Sequence, residues 1–360
     1  MSRHNEKQRL GTTEETTFDP KIENTPDLPA IDFGAVGQKA PVLLDTPSDS
    51  LPQADVVVIT WAEAEWAAMQ HVFCAGGSPM PYSARDESSW SGWQKYDSDM
   101  PSGAPSDWTY WGNYRLVQIQ GQSVLLFKSN THLDWPGETY LEDLINTIID
   151  SVKPKLILSI GTAGGAKTGD HIGTVRAVSA GTFDSGSGTW PTYSNSWSAV
   201  WKVLQHSSFK KLLFPIPTKE SDLQSLCNQL NQYYSYQPPY TLSQLNPHNV
   251  NMGSSSPAVD NTTGGSASLL TTSTFVVGTT DGKYDKYAVI EMDDAVIGKV
   301  CKSKNVSFGF IRNVSDPVQN AALPSGVQGN WGSAIYDSYG VYTSYNGALA
   351  AWAIIAGQLA

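Results

Sequence analysis

Apolar positions in this chain fall in short runs separated by long polar stretches. Residues 55–60 read Asp-Val-Val-Val-Ile-Thr, a continuous apolar run of the kind buried on both faces of a mostly parallel sheet. A helix carrying Glu63, Glu65, Trp66 and Met69 follows it. Two more strands are predicted over 114–120 and 122–128, joined at Gly121. Residues 138–152 then place Tyr140, Leu141, Leu144, Ile145, Ile148 and Ile149 at helical spacing. Pro154 opens a strand over 155–160, which runs into Gly161-Thr162-Ala163-Gly164-Gly165, read as a Gly-rich turn. Further on, the pattern predicts a strand at 176–179, a helix near 219–233 and ordered chain at 274–278. A strand at 288–291, a helix over 293–303, a strand over 307–312 and a C-terminal helix from about 344 complete it. Strand and helix alternate, so the class is α/β, with a mixed, mostly parallel central sheet flanked by helices.

Two stretches interrupt that alternation. Residues 75–113 are rich in Ser, Gly and Pro but carry Trp90, Trp93, Trp108 and Trp111, enough aromatic surface to pack down onto a core. Residues 181–270 are rich in Ser, Asn, Gln and Tyr, with 254–268 reading as loop. Both are taken as loop-rich insertions in one domain spanning 54–360. Residues 1–53 show no lasting periodicity and are expected to form a tail or arm off the core.

Composition narrows the function. The chain has 360 residues and a formal net charge of −11, which argues against a nucleic-acid backbone or an anionic membrane as partner. A small anionic ligand would need only one local cluster of cations. Cys74, Cys227 and Cys301 are odd in number and widely spaced, as expected of reduced thiols. The first residues are polar, with no apolar core of a signal peptide, and no apolar run reaches the ~20 residues that span a bilayer. A cytoplasmic location is the expectation. There is no HExxH, no P-loop, no GxSxG and no GxGxxG, so no metal or cofactor is expected.

The chemistry concentrates in three acids. Glu65 begins a helix just after the first strand, Asp293 begins another, and Asp316 ends a strand. Each has an ordinary explanation. A first-turn acid complements the helix dipole, and Asp before Pro317 favours a turn. Together, however, all three stand at the carboxyl ends of strands, where α/β folds place ligand crevices. Asp293 and Asp316 lie 23 residues apart (316 − 293), across one helix and one strand. Breaking a glycosidic bond to a base uses two such acids, one to hold the sugar and one to protonate the leaving group. His132 lies in a loop after a strand, where it could face a site, whereas His171 reads as structural.

The strings LILSIGTAGGAKTGD, VIEMDDAVIGKVC and VSFGFIRNVSD resemble the core motifs of the purine nucleoside phosphorylase/nucleosidase superfamily. They come closest to its methylthioadenosine/S-adenosylhomocysteine nucleosidase branch, and VVVITWAEAEW is similar to that branch's first strand and helix start. The resemblance covers 54–74, 114–180 and 272–360. It implies a nucleoside phosphorylase-like fold, a purine nucleoside or nucleotide as substrate, adenine as the released base, and a homo-oligomer. By the same resemblance, Asp316 after Ser315 would protonate purine N7. Asp293 would grip the ribose hydroxyls with Met292 against the sugar. Glu65 would activate water, with Thr162, Gly164 and Arg312 around it. Asp293 departs from the family's Glu and is one methylene shorter. Superfamily phosphorylases carry an Arg before the Gly-rich turn and another after the first strand. Ser159 and the run 60–66 stand there, so water is the expected nucleophile. The resemblance leaves open a phosphorylase using Lys128 or Arg176, a non-catalytic storage relative, and an antiphage effector that cleaves adenine nucleotides.

Overall fold

The computed structural model describes residues 18, 20–22, 25–82, 90–195, 199–246, 259–261 and 267–357. The strands before the second insertion are β1 (Val42–Leu43), β2 (Val56–Thr60), β3 (Gln94–Tyr96), β4 (Gly112–Ile119), β5 (Gln122–Ser129), β6 (Leu156–Gly165) and β7 (Val175–Val178). After them come β8 (Ala180–Asp184), β9 (Thr192–Ser194), β10 (Val259–Asn261), β11 (Leu269–Thr272), β12 (Val289–Glu291) and β13 (Ser307–Asp316). The α-helices are α1 (Glu63–Cys74), α2 (Glu138–Val152), α3 (Ser207–Leu212), α4 (Glu220–Tyr234), α5 (Leu242–Leu245), α6 (Asp294–Lys304) and α7 (Ser325–Ala356).

All five residues of β2 are buried, because helices cover both faces of the sheet. Side chains alternate along a strand, so Val56 and Val58 join one core with α1 and α7. Val57 and Ile59 join the other, with α2 and α6. Strands β5, β2, β6 and β13 pair in parallel. Their carboxyl ends, including Thr60 and Asp316, therefore share one edge. Antiparallel pairing of β4 with β5, β7 with β13 and β12 with the end of β6 makes the sheet mixed. The path from β6 through β13 and β7 leads on into β8, which returns through β11 and β12 to β6.

Five expectations change. The Gly-rich stretch 161–165 is not a turn but the end of β6, where Gly164 pairs with both Ile290 and Asp316. Small residues let two strands converge there. Ordered chain before β12 is strand at Leu269–Thr272 instead of 274–278. The C-terminal helix begins at Ser325. Its first turns hold Gly326, Gly329 and Gly332, which disguise it as loop in the sequence. Of the predicted loop 254–268, residues 259–261 form β10, 267 and 268 lead into β11, and the remainder lies outside the described residues.

The fifth change concerns the N-terminal segment. Residues 25–53 run as an arm, but not off the core. Leu28, Ile31, Phe33 and Val36 are buried in the α1/α7 core, and Leu51 in the other. Leu28 exchanges backbone hydrogen bonds with Met80 at 2.9 and 3.1 Å, and the Phe33 ring lies 4.8 Å from Trp352. The aromatic insertion packs as expected in its described part. Trp90 and Trp93 set their edges on Trp66, each at 5.2 Å, while Trp108 and Trp111 are buried.

Candidate active site

The shared carboxyl edge of β2, β6 and β13, with β12 and α7, encloses a cleft of about 790 Å³, its open mouth included. All eight residues singled out from the sequence line it: Glu65, Thr162, Gly164, Met292, Asp293, Arg312, Ser315 and Asp316.

Asp316 ends β13 and is 5% exposed. Its Oδ1 accepts a hydrogen bond from Ser315 Oγ at 2.9 Å. Its Oδ2 is buried and has no hydrogen-bond partner among the described residues. Burial disfavours the charged form and pushes the carboxyl up to about 7, against the opposing pull of Ser315. Gly164 makes room for this group, since a Cβ there would stand 3.1 Å from Oδ2.

Glu65 lies in the first turn of α1 and reaches back toward β2. Its Oε2 accepts hydrogen bonds from Thr60 Oγ1 (3.0 Å), Trp61 N (2.8 Å) and Ala62 N (2.8 Å). Its Oε1 accepts from Thr162 N (2.7 Å) and Thr162 Oγ1 (2.8 Å). The carboxylate thus bonds amides at the start of the helix and also lines the cavity. The approach depends on Gly161, where a Cβ would collide with the Arg312 guanidinium and press on Glu65.

Arg312 is 2% exposed and faces inward. Nε donates to Asp294 Oδ2 at 2.7 Å, and Nη2 bonds Asp294 Oδ1. Nη2 also lies 3.1 Å from Glu291 Oε2 and donates to Ser159 Oγ at 3.2 Å, while Nη1 donates to Thr162 O at 3.2 Å. Two acids thus share one guanidinium. Burial works against the charge on Arg312, but Asp294 and Glu291 outweigh it and hold it protonated. Burial pushes both acids up, Glu291 to about 8 with Asp294 adding to the rise and Arg312 opposing it.

Asp293 precedes α6 without capping it through its side chain. Instead its Oδ1 accepts from Leu133 N at 2.9 Å, and its Oδ2 lies 3.7 Å from His132 Nδ1. The short carboxylate leans toward the loop after β5.

Other lining residues were not singled out from the sequence. Trp61, Asp134, Glu291 and Tyr336 line the cavity with Phe275 and Val276. Glu291 stands two positions before Asp293 in the motif already noted. Tyr336 sits on the part of α7 that the sequence hid. Among the described residues, no three His, Cys, Asp or Glu side chains are grouped to hold a metal ion.

No protein-family model matches the sequence, and no curated protein does. Solved structures do match it, at low identity. One is the 5'-methylthioadenosine/S-adenosylhomocysteine nucleosidase of Neisseria meningitidis, at 13% identity and a TM-score of 0.45, covering 84% of this chain and 98% of that one. Another is the futalosine hydrolase of Helicobacter pylori, at 11% identity and a TM-score of 0.43, covering 83% and 96%. The 5'-methylthioadenosine/S-adenosylhomocysteine nucleosidase of S. pneumoniae gives 13%, 0.44, 84% and 99%. The likeness is one of fold, at low sequence identity.

Proposed function

We propose that this chain hydrolyses the N-glycosidic bond of a purine nucleoside or nucleotide and releases the free base, adenine first among the candidates. One observation carries the reading: Asp316 presents a buried, unpartnered Oδ2 beside the cavity, in surroundings that keep it protonated near neutrality. A general acid works best when its pKa lies near the working pH. In this reading Asp316 gives its proton to purine N7 as the glycosidic bond breaks, so the base leaves neutral. The electron pair of that bond departs with the base, and the sugar becomes an oxocarbenium ion. The carboxylate of Glu65 stabilises the developing positive charge, and Asp293 holds the sugar hydroxyls. Water then adds to the anomeric carbon and loses a proton. Glu65 is the proposed acceptor. Its oxygens already take five hydrogen bonds, so the Thr162 hydroxyl must turn away from Oε1 to open a lone pair for the water.

The test is Asp316→Asn, nearly isosteric and unable to donate an ionisable proton. Base release from a panel of purine nucleosides and nucleotides is expected to fall ~10²–10⁴-fold with a cooperative melt retained. Wild-type turnover in the variant would remove Asp316 from the mechanism.

A further inference from the structure

We propose that His132 is a positioning residue for the sugar-binding carboxylate of Asp293, a role that rests on the glycosidase reading above. His132 is 5% exposed, in the loop between β5 and α2. Its backbone is tied at both ends: His132 N donates to Trp135 O at 2.9 Å, and His132 O accepts from Gly137 N at 3.2 Å. Its ring leans on Trp61 with centroids 5.5 Å apart. Trp61 lines the cavity, and its backbone N–H holds Glu65. The imidazole is thus fixed before any ligand arrives.

What it faces is Asp293. A carboxylate anchored at one oxygen still turns about its last bond, because that torsion has a broad profile. Leu133 N anchors Oδ1. His132 Nδ1, 3.7 Å from Oδ2, sets the turn of the other oxygen. A proton on Nδ1 would give Oδ2 an attractive partner there, at a separation too long for a direct hydrogen bond. A Glu at this position would reach the ribose diol on its own length. The shorter Asp293 relies on consecutive residues of one loop, His132 and Leu133, to aim it.

The consequence is a role in sugar binding, separate from bond cleavage. Interactions made equally with substrate and transition state change KM and leave kcat alone. Two variants separate aim from packing. His132→Phe keeps a ring against Trp61 and removes the nitrogen. His132→Asn places an amide nitrogen close to where Nδ1 stood. His132→Phe is expected to raise KM for a ribonucleoside ~5-fold, the size of one modest polar contact, with kcat within ~2-fold of wild type. KM for the 2′-deoxy analogue, which keeps only the 3′-hydroxyl, should rise less, so the preference for ribose shrinks. His132→Asn should restore that preference. An unchanged ribose preference in His132→Phe overturns the proposal. So does an equal loss on both sugars that Asn fails to rescue, which would mark His132 as a packing residue. A wild-type protein that releases no base from any substrate would instead overturn the glycosidase reading, and this role with it.

Discussion

Asp316 carries a proton that an exposed aspartate would have lost, and this has opposite effects on stability and on activity. Its carboxyl moves from 3.8 to about 7 on burial. Between those values the folded chain keeps a proton that the unfolded chain releases. Stability from this group is therefore present below about 3.8, is lost as pH rises toward 7, and stays reduced above. Asp316→Asn has no charge to bury, so at pH 8 it should be more stable than wild type by ~1–4 kcal/mol, one pKa unit being worth ~1.4 kcal/mol. In the proposed reaction Asp316 acts as the protonated acid, so kcat/KM of the wild type should fall above about 7. Paired pH profiles of kcat/KM and of thermal melting check both halves. A flat activity profile through that region, together with an unstabilised Asn variant, would contradict the environment described for Asp316.

Elements with a clear apolar period were legible from the sequence, and those without one were not. The run at β2 and the spacing in α2 declare themselves, because each buries side chains in a pattern the sequence displays. Helix α7 does not. Residues 338–355 are all buried, so the helix meets protein on every side there and shows no single apolar stripe, while Gly326, Gly329 and Gly332 hide its start. The N-terminal arm is hidden for a related reason. It docks as irregular chain, its burial coming from scattered residues such as Leu28 and Phe33 that follow no period. Its attachments are specific, though: Pro26 O accepts from Tyr342 Oη at 2.6 Å, and Pro47 O accepts from Tyr114 Oη at 2.6 Å. Phe33→Ala should therefore destabilise the whole domain. Removing a buried Phe side chain costs ~3–5 kcal/mol in a well-packed core. Denaturant melts of the full chain measure this, and a loss below ~1 kcal/mol would return the arm to the status of a loose tail.

At the scale of the molecule, parallel strands gather their carboxyl ends on one edge, and the site forms where the chain order brings separate motifs together. That convergence made the acids legible: Glu65 and Asp293 stand in the segments just after strands, Asp316 ends one, and all three line one cavity. The sequence could not display what surrounds them. Nothing local reveals that Leu133 would bond Asp293, or that Arg312 would turn inward to Asp294 and Glu291. The inward turn of Arg312 settles how charge is distributed in the cleft. Glu65, Asp134, Glu291, Asp293 and Asp316 line it, and Arg312 is the one Lys or Arg among the described lining residues. Arg176, a conceivable alternative anchor for phosphate, is not a lining residue and pairs with Asp170 and Asp260. A phosphate dianion entering this cleft would meet the carboxylates of Glu65, Asp134 and Asp293 and find Arg312 already taken up by Asp294 and Glu291, and repulsion strengthens as water is excluded. Base release should consequently proceed at the same rate with and without inorganic phosphate, giving free base and a free sugar or sugar 5′-phosphate. Product analysis by chromatography decides the matter. Ribose 1-phosphate accumulating in proportion to added phosphate would make this chain a phosphorylase and would require a cation that this arrangement of charges does not supply.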